Sequence, residues 1–392
     1  MTNRLRRLAL AAIVVLAGGQ SVAAETRGTG DLGLVVERAS GSVLIVETTG
    51  RTTLGRIEGL GDLSHASAVF SPDQRFAYVF GRDGGVSKID LVDRALVARV
   101  VQAGNSIGGA ILNGGRTLAV ANYEPGGVRL LDAATLATIA EVPAETDAGR
   151  SKVVGLVDVP GDRLAFALYD AGAIWLADAG KPEAPVIERF ADVGKQPYDG
   201  MVTPDGRWYV AGLYGEDGLA VLDLWHPEAG VRRVLDGYGH GEAPLPVYKM
   251  PHLEGWSATG DDLFIPAVGR HELLVVDRRT WREVGRVALA GQPVFAVSSP
   301  DGRRVWVNFA LPDNGKVQII DTASRAVVAT LEPGAAVLHM EFTPRGEEVW
   351  VSARDDDKVV VYDADSLEVL AVLPAAKPSG IFFTARAHRI GQ

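Results

Sequence analysis

The sequence has no cysteine among its 392 residues. This absence excludes disulfide bonds, thiolate metal sites, a lipoprotein anchor and haem attached through a Cys-x-x-Cys-His motif. Positively charged residues are also fewer than negatively charged ones. The sequence has 39 Lys and Arg and 49 Asp and Glu, which gives a net charge of −10. We therefore do not expect nucleic acid or an anionic membrane surface as the main partner, although local basic residues can still bind a small anion.

Long apolar segments are scarce as well. The apolar run 8–16 is too short to span a bilayer, and it follows three arginines within the first seven residues. Val22-Ala23-Ala24 then supplies the small residues of a cleavage site. We expect residues 1–24 to be a secretory signal peptide, and the rest of the chain, 25–392, to work in the periplasm as one domain without a membrane anchor.

Common signatures of nucleotide binding and hydrolysis are missing too. The sequence has no P-loop, no glycine-rich dinucleotide fingerprint after a strand, no nucleophile elbow and no helical spacing of histidines. What it has in quantity is turn-forming residues, with 46 Gly and 20 Pro, beside a hydrophobic content of 47%. This composition predicts short elements separated by many turns around a large core.

A strand-ending aspartate recurs along the chain. Each copy follows an apolar run, and each run follows an earlier strand that opens with a turn such as Ser71-Pro72-Asp73. The spacing is 42 to 54 residues, at Asp90, Asp132, Asp178, Asp223, Asp277, Asp321 and Asp363. A period in the forties with three or four short strands per unit is typical of β-propeller blades.

The repeats predict an all-β, eight-bladed β-propeller. Seven units are complete, and the eighth is divided between the chain ends. Its later strands are expected at Leu32–Glu37, Ser42–Glu47 and Thr53–Ile57, and its inner strand at Ser379–Phe383. Pairing the two ends closes the ring and hides both sheet edges.

The longest spacing contains an insertion at about 225–252. It is rich in Pro and Gly, which excludes a regular element. It is either a surface excursion or a flap over one mouth of the channel. We favour the flap, since long structured loops on a rigid scaffold often carry function.

The first residues of the innermost strands are expected to ring one mouth of the central channel. Polar, aromatic and basic side chains meet there, and three of the 7 histidines occupy this position in different blades. Such a funnel is a default small-molecule site. Its candidate residues are Ser64, His65, Asn105, Ser106, Arg150, Lys152, Tyr198, Asp199, His252, Glu254, Pro293, Phe295, His339, Glu341 and Ser379.

Each of these residues also has a structural interpretation. A lone histidine such as His65 is more often satisfied by its neighbours than bound to a metal. His252 and His339 could pair with Glu254 and Glu341, and basic residues in turns are usually solvated. Packing or edge protection would equally explain Arg82, Arg150, Lys152, Tyr123, Tyr169 and Tyr198.

The stretch 64–91 resembles the d1-haem domain of cytochrome cd1 nitrite reductase. The shared features are His65 at the head of a strand, the turn Gly81-Arg82-Asp83-Gly84 and the strand end Ile89-Asp90-Leu91. The similarity continues at Ala121–Pro125, Pro197–Gly200, Gly346–Trp350 and Lys377–Gly380. Within this superfamily the chain is most similar to exported d1-haem biogenesis proteins that have no cytochrome c domain, in agreement with the absence of cysteine.

The resemblance implies roles for individual residues. His65 would be the proximal axial ligand of the tetrapyrrole iron, and Arg82 would bind a peripheral carboxylate. The reductase has two distal histidines where this chain has Tyr198 and Tyr169, so nitrite reduction is not expected. Other ring-binding candidates are Tyr123, Tyr169, Arg150 and Lys152. The distal groups expected to act on the ring are Tyr198, Asp199, His252 and His339.

The resemblance implies a periplasmic protein that binds d1-haem or its dihydro precursor and takes part in its late maturation. The implied partners are cytochrome cd1 nitrite reductase and its c-haem-bearing biogenesis paralogue. Three activities stay open at this point: an oxidoreductase acting on the ring periphery, a carrier that delivers the tetrapyrrole, and an interaction propeller without a cofactor.

Overall fold

The structure is a computed structural model that describes residues 27–147, 149–238, 256–267 and 270–385. The expected signal peptide, His252 and the second half of the insertion lie outside these residues. The first half contains the strand Val231–Val234, which pairs with the third strand of its blade, so the prediction that the insertion holds no regular element is wrong. Within the described residues, 34 strands form eight four-stranded antiparallel sheets and one small hairpin. The predicted all-β, eight-bladed propeller is confirmed.

Blades 1 to 4 follow the chain in order, each from its inner to its outer strand. Blade 1 consists of β4 (Ser67–Phe70), β5 (Phe76–Phe80), β6 (Gly85–Asp90) and β7 (Ala95–Val101). Blade 2 consists of β8 (Asn105–Leu112), β9 (Thr117–Glu124), β10 (Val128–Asp132) and β11 (Thr138–Val142). Blade 3 consists of β14 (Val153–Val159), β15 (Arg163–Leu168), β16 (Ala173–Asp178) and β17 (Val186–Phe190). Blade 4 consists of β18 (Pro197–Val202), β19 (Trp208–Leu213), β20 (Leu219–Asp223) and β21 (Val231–Val234).

Blades 5 to 7 continue in the same way. Blade 5 consists of β22 (Ser257–Thr259), β23 (Asp262–Pro266), β24 (Glu272–Asp277) and β25 (Arg282–Ala288). Blade 6 consists of β26 (Pro293–Ser298), β27 (Arg304–Phe309), β28 (Val317–Asp321) and β29 (Ala326–Leu331). Blade 7 consists of β30 (Val337–Phe342), β31 (Glu348–Ala353), β32 (Lys358–Asp363) and β33 (Val369–Pro374). The hairpin between blades 2 and 3 consists of β12 (Glu145–Thr146) and β13 (Gly149–Arg150). Short 3-10 turns lie at Asn113–Gly115, Pro227–Ala229 and Arg354–Asp356.

Blade 8 joins the two ends of the chain, as predicted. From inside outward it consists of β34 (Pro378–Phe383), β1 (Leu32–Glu37), β2 (Ser42–Glu47) and β3 (Thr52–Ile57). Val35 pairs with Ile381 in the ladder, and the Thr384 amide donates to the Leu32 carbonyl at 2.9 Å. The buried Glu37 carboxylate also accepts the Ala376 amide at 2.8 Å. The ring therefore closes through hydrogen bonds between segments more than 300 residues apart in sequence.

The strand-ending aspartates cap the turns that follow the third strands. In blade 7, Asp363 Oδ1 accepts the amides of Asp365 and Ser366 at 3.0 and 2.7 Å. In blade 5, Asp277 Oδ1 accepts two amides in the same way, the nearer at 2.8 Å from Thr280. The recurrent aspartate is thus explained by local turn chemistry rather than by a shared ligand.

The core lies between neighbouring blades. The second and third strands are apolar on both faces because a blade packs against each side of the sheet. Tyr78 and Phe80 of blade 1, for example, pack against Leu118 and Val120 of blade 2. This packing fixes the blades relative to each other and so sets the positions of the loops at the channel mouth.

The innermost strands line the central channel. They contact one another around the ring, in the pairs β4–β8, β8–β14, β14–β18, β22–β26, β26–β30 and β30–β34. All eight contribute side chains to a cavity of about 680 Å³. No helix in the described ranges is long and apolar enough to cross a membrane.

Candidate functional site

His65 and Arg82 share one corner of the channel mouth. The Asp62 carboxylate accepts the Ser64 amide at 2.8 Å, which shapes the loop that leads into β4. The Asp62 carbonyl accepts the Arg82 amide at 2.8 Å, which ties this loop to the turn between β5 and β6. His65 lines the cavity beside Ser64. The two residues that carry the family resemblance therefore belong to one hydrogen-bonded unit.

The Gly81–Gly84 turn places Arg82 at the surface of the mouth. Asp83 Oδ1 accepts the Gly85 amide at 3.0 Å, and Gly84 has a φ of +76°. A Cβ on Gly84 would lie 2.0 Å from the Ala103 carbonyl oxygen, so no larger residue fits. The predicted hairpin turn is present, and the Arg82 side chain is exposed above it.

A single position recurs around the mouth. It lies six residues after the residue of the second strand that pairs with the strand-ending aspartate, or with Glu47 in blade 8. Three consecutive blades, 7, 8 and 1, carry arginine here, and we call Arg354, Arg38 and Arg82 the arginine sector. The next three blades carry tyrosine, and we call Tyr123, Tyr169 and Tyr214 the tyrosine sector. Blade 6 carries the buried small residue Ala310, and the equivalent position of blade 5 lies outside the described residues.

The arginine sector concentrates positive charge beside His65. Arg38 is half-buried and lines the cavity. Burial lowers the pKa of Arg38, and the neighbouring positive charges of Arg354 and Arg82 lower it further, with partial relief from Asp62. Asp355 holds Arg354 through two contacts of 2.9 Å. Within the described ranges, no carboxylate forms an ion pair with Arg38 or Arg82.

The tyrosine sector joins Tyr198 of β18 in an aromatic cluster. The hydroxyl groups of Tyr123 and Tyr198 are hydrogen-bonded at 2.7 Å. The Tyr169 ring lies 5.9 Å from the Tyr198 ring and 6.4 Å from the Tyr214 ring. Burial raises the pKa of Tyr123 and of Tyr198 well above the usual range for tyrosine. These phenols are therefore neutral hydrogen-bonding groups at physiological pH.

Asp199 follows Tyr198 at a β-bulge in β18. The ladder between β18 and β19 shifts register between Tyr198 and Met201, and Asp199 has a φ of +47°. Its side chain is 7% exposed and lines the cavity. A non-glycine residue in this conformation is uncommon and often found at functional sites. The bulge thus brings a carboxylate to the cavity next to the tyrosine cluster.

His339 is built into the wall of the channel. Its ring lies between Phe295, at 5.9 Å, and Phe382, at 5.4 Å. Its Nδ1 atom accepts the Ile381 amide at 3.2 Å, which places the proton of the neutral ring on Nε2. These contacts give His339 a packing role in β30. His339 also lines the cavity.

The two basic residues predicted near blade 3 have partners. The Arg150 guanidinium donates to the Gly126 carbonyl at 2.9 Å and pairs with Glu141. Lys152 pairs with Asp170 at 3.1 Å, and its ammonium group lies 5.2 Å from the centre of the Tyr169 ring. Lys152 therefore adjoins the tyrosine sector, whereas Arg150 fastens the β12–β13 hairpin. His252 lies outside the described residues.

Several residues of the mouth and the channel were not expected from the sequence. Arg38, Arg354 and Tyr214 lie in loops without any family motif, and only their equivalent positions in successive repeats could have revealed them. Asp158 lines the lower channel on β14, and burial raises its pKa to about 7. Its strand, Val153–Val159, contains no sequence motif, so the sequence did not indicate that Asp158 would line the cavity.

Comparison with known proteins decides the family. A model of the cytochrome d1 haem domain matches residues 27–387. The chain belongs to the cytochrome d1 haem domain family. The resemblance inferred from stretch 64–91 is thereby confirmed.

Three relatives within this family are especially informative. The chain is 56% identical to Protein NirF of Pseudomonas aeruginosa over 390 residues, which is 99% of either chain. It is 56% identical to Protein NirF of Stutzerimonas stutzeri over 368 residues, 93% of this chain and 94% of that one. A solved structure of the dihydro-heme d1 dehydrogenase NirN in complex with DHE superposes with a TM-score of 0.80. It is 28% identical in sequence, over 93% of this chain and 78% of NirN.

Proposed function

We propose that this protein binds a d1-haem precursor at the His65 mouth of the channel and takes part in its late maturation. The observation that carries the proposal is that His65, Arg38 and the buried Asp199 line one cavity of about 680 Å³, with Asp199 directly following Tyr198 of the tyrosine cluster. The relative NirN, a dihydro-heme d1 dehydrogenase with the same fold, supports this ligand class.

The residues at the mouth fit an anionic iron tetrapyrrole. A histidine imidazole is a common axial ligand of haem iron, and His65 lies on the cavity wall. Guanidinium groups bind carboxylates through paired hydrogen bonds, which suits Arg82 at the rim. The cavity volume lies in the range of sites that enclose a small-molecule ligand.

The chain's own residues supply acid–base and hydrogen-bonding groups to the ring periphery. A bound tetrapyrrole would contribute its redox-active iron and conjugated ring. Tyr123 and Tyr198, which stay neutral, orient peripheral substituents by hydrogen bonding. Asp199, buried beside them, is the candidate proton acceptor or donor. His252 and His339 remain predicted contributors.

The same proposal places the protein in the periplasm, after removal of residues 1–24. There it would pass the modified tetrapyrrole to cytochrome cd1 nitrite reductase, directly or through the c-haem-bearing paralogue. The N-terminal signal pattern and the family membership support this placement.

The binding test is a visible-absorption titration of the full-length protein with dihydro-d1-haem. We expect tight binding with a shifted Soret band for the native protein, and a different spectrum or no binding for His65→Ala. The control is His226→Ala, because His226 is exposed in the turn after β20, and its side chain contacts Glu228 at 3.3 Å. Identical titrations for the native protein and His65→Ala would contradict iron ligation by His65.

Turnover distinguishes an enzyme from a carrier. We expect Asp199→Asn and Tyr198→Phe to lower the conversion rate of a precursor by at least tenfold while binding stays within about threefold, because general acid–base groups contribute on the order of 10²–10⁴ in rate. Asparagine is chosen because it tolerates the positive φ of Asp199. Conversion is followed by chromatography of the extracted pigment. Binding without conversion by the native protein would establish a carrier.

A further inference from the structure

We infer that Tyr209 is a positioning residue for Asp199, because its buried hydroxyl group holds the backbone from which the Asp199 side chain reaches the cavity. This inference rests on the proposed function, in which Asp199 is the candidate proton acceptor or donor. Tyr209 lies on β19, the second strand of blade 4, and is fully buried. It does not line the cavity, so it acts through Asp199 rather than on the ligand.

Two β-bulges in neighbouring inner strands meet at Asp199. One lies in β14 at Gly155, and the other lies in β18 at Asp199 itself. Gly155 has a φ of +57°. A Cβ on Gly155 would lie 2.4 Å from the Gly200 nitrogen and 2.5 Å from the Asp199 carbonyl carbon. Residue 155 must therefore be glycine, and its backbone packs directly against the bulge that carries Asp199.

The Tyr209 hydroxyl group joins these two bulges. It donates a hydrogen bond to the Gly155 carbonyl at 2.8 Å, which links blade 4 to blade 3. The Tyr209 ring also packs against Gly200, since a Cβ on Gly200 would lie 2.1 Å from the hydroxyl oxygen and 2.4 Å from the ring carbon that bears it. One phenol thus contacts the backbone on both sides of the junction at Asp199.

This phenol is specific to blade 4. Tyr209 directly follows the residue of the second strand that pairs with the strand-ending aspartate, and this position is buried in every blade. In the described strands of the other seven blades, the same position carries a residue without a hydroxyl group, namely Gly33, Ala77, Leu118, Leu164, Leu263, Val305 or Val349. Apolar residues are therefore sufficient for packing between blades. The hydroxyl group of Tyr209 has a local role, and its partner is Gly155.

Asp199 and Tyr209 also interact electrostatically. Burial raises the pKa of Tyr209 far above its usual range, and the negative charge of Asp199 raises it further. The hydroxyl group therefore stays protonated and keeps donating its hydrogen bond at physiological pH. The charge of Asp199 acts in the same direction on Tyr123 and Tyr198. A shift of the bulge would thus move the carboxylate relative to the whole tyrosine cluster.

The structural test removes only the hydroxyl group, with Tyr209→Phe. We expect the Asp199 carboxylate to move by at least about 1 Å between crystal structures of the native protein and this variant, because phenylalanine cannot donate to Gly155. The control is Tyr78→Phe in blade 1. Tyr78 is also buried, and its hydroxyl group donates to the Ala133 carbonyl at 2.9 Å. The control should leave Asp199 in its native position.

Kinetics distinguish positioning from a general loss of stability. We expect Tyr209→Phe to lower kcat for conversion of a d1-haem precursor at least about tenfold while KM stays within about threefold, because misplacing an acid–base group affects the reaction more than binding. Tyr78→Phe loses a hydrogen bond of the same kind, so urea unfolding should show a similar loss of stability, yet its kcat should stay native. Tyr209→Leu gives blade 4 the residue that blades 2, 3 and 5 carry, and it should act like Tyr209→Phe.

Three results would overturn the inference. They are an unmoved Asp199 carboxylate in Tyr209→Phe, a native kcat in that variant, and equal losses of kcat in Tyr209→Phe and Tyr78→Phe. If the native protein itself binds the precursor without converting it, the acid–base part of the proposed function fails. The position of the Asp199 carboxylate in the crystal structures then decides the inference by itself.

Discussion

One side chain per blade decides what the channel mouth can hold. The eight blades repeat the same strands and turns, yet the position that ends the second strand changes from arginine to tyrosine to alanine around the ring. Because the backbone is held by packing between blades, such changes alter the chemistry of the mouth without altering the fold. The site is thus a set of substitutions on a repeated scaffold.

Asp158 offers a test of channel burial at this scale. Burial raises its pKa to about 7, whereas an unfolded aspartate titrates near about 3.9. The folded state therefore holds a proton that the unfolded state has lost between these values, so stability falls as pH rises from about 4 to 7. We expect Asp158→Asn to stabilise the protein by about 1–3 kcal/mol above pH 7 and to have little effect near pH 4.

The measurement for Asp158 is urea unfolding at pH 4.5 and pH 8. Asp192→Asn serves as the control, because Asp192 is exposed and asparagine tolerates its φ of +55°. If Asp158→Asn raised the free energy of unfolding equally at both pH values, the ionisation of Asp158 would not be the cause of the effect.

Sequence reasoning reached His65 and Arg82 because a local motif carries them. It missed Arg38 and Arg354, which come together only when blade 8 is completed by strands from both chain ends. His339 was singled out by its position, but the Phe295 and Phe382 rings and the Ile381 amide that hold it come from other blades. A sequence motif indicates which functional residues one blade contributes. Contacts between residues of different blades cannot be predicted in this way, because they form only when the ring is closed.

At the scale of single elements, the strand-ending aspartates stabilise the turns that follow them by accepting backbone amide hydrogen bonds. The strand-ending aspartates and the Pro-Asp-Gly turns were both predicted from their spacing, and the predicted strands of blade 8 differ from the observed ones by one residue at most. Local hydrogen bonding explains this success, since an aspartate caps its own turn whatever the rest of the chain does. The insertion at 225–252 has no such local hydrogen-bonding pattern, and its many Pro and Gly residues hid the strand β21 that its described half contains.

The turn at Asp301 is expected to make the stability of the folded protein depend on pH in the acidic range. Burial tends to raise the pKa of Asp301, but hydrogen bonds from the Ser299 hydroxyl, the Arg303 amide and the Arg303 side chain outweigh it and lower the pKa to about 2. Its contribution to stability is complete above pH 4 and is lost as pH falls towards 2. We expect Asp301→Asn to lower the Tm at pH 5 and to flatten its decline between pH 4 and pH 2.

Differential scanning calorimetry across that pH range measures the effect at Asp301. Glu183→Gln removes an exposed carboxylate from another loop and should reproduce the native profile. If Asp301→Asn changes neither the Tm at pH 5 nor the decline of Tm between pH 4 and pH 2, the hydrogen bonds to the Asp301 carboxylate do not stabilise the turn.

At the scale of the whole molecule, ring closure depends on a buried carboxylate. Glu37 is fully buried and accepts hydrogen bonds from Ser42 at 2.8 Å, Arg56 at 2.9 Å and the Ala376 amide at 2.8 Å. These three contacts join the N-terminal strands to the segment before β34. We expect Glu37→Ala to destabilise the protein by about 2–4 kcal/mol, because it leaves the Ser42 hydroxyl and the Ala376 amide without an acceptor at the joint.

The loss at Glu37 is read from the urea midpoint of unfolding. Glu347→Ala is the matched change on the surface, since Glu347 is exposed and forms a surface ion pair with Arg345, and it should shift stability by less than about 1 kcal/mol. Similar losses in the two variants would mean that the joint in blade 8 contributes no more than an ordinary surface pair.

The arginine sector lies across that same joint, with Arg354, Arg38 and Arg82 in blades 7, 8 and 1. A chain that has been made only as far as blade 6 already contains Arg38 and Arg82, but it has no Arg354 and no β34 to complete blade 8, the blade of Arg38. The pocket is therefore the last part of the molecule to be finished. A ligand that needs all of it would be accepted only by intact copies, and once bound it would favour the closed ring by mass action.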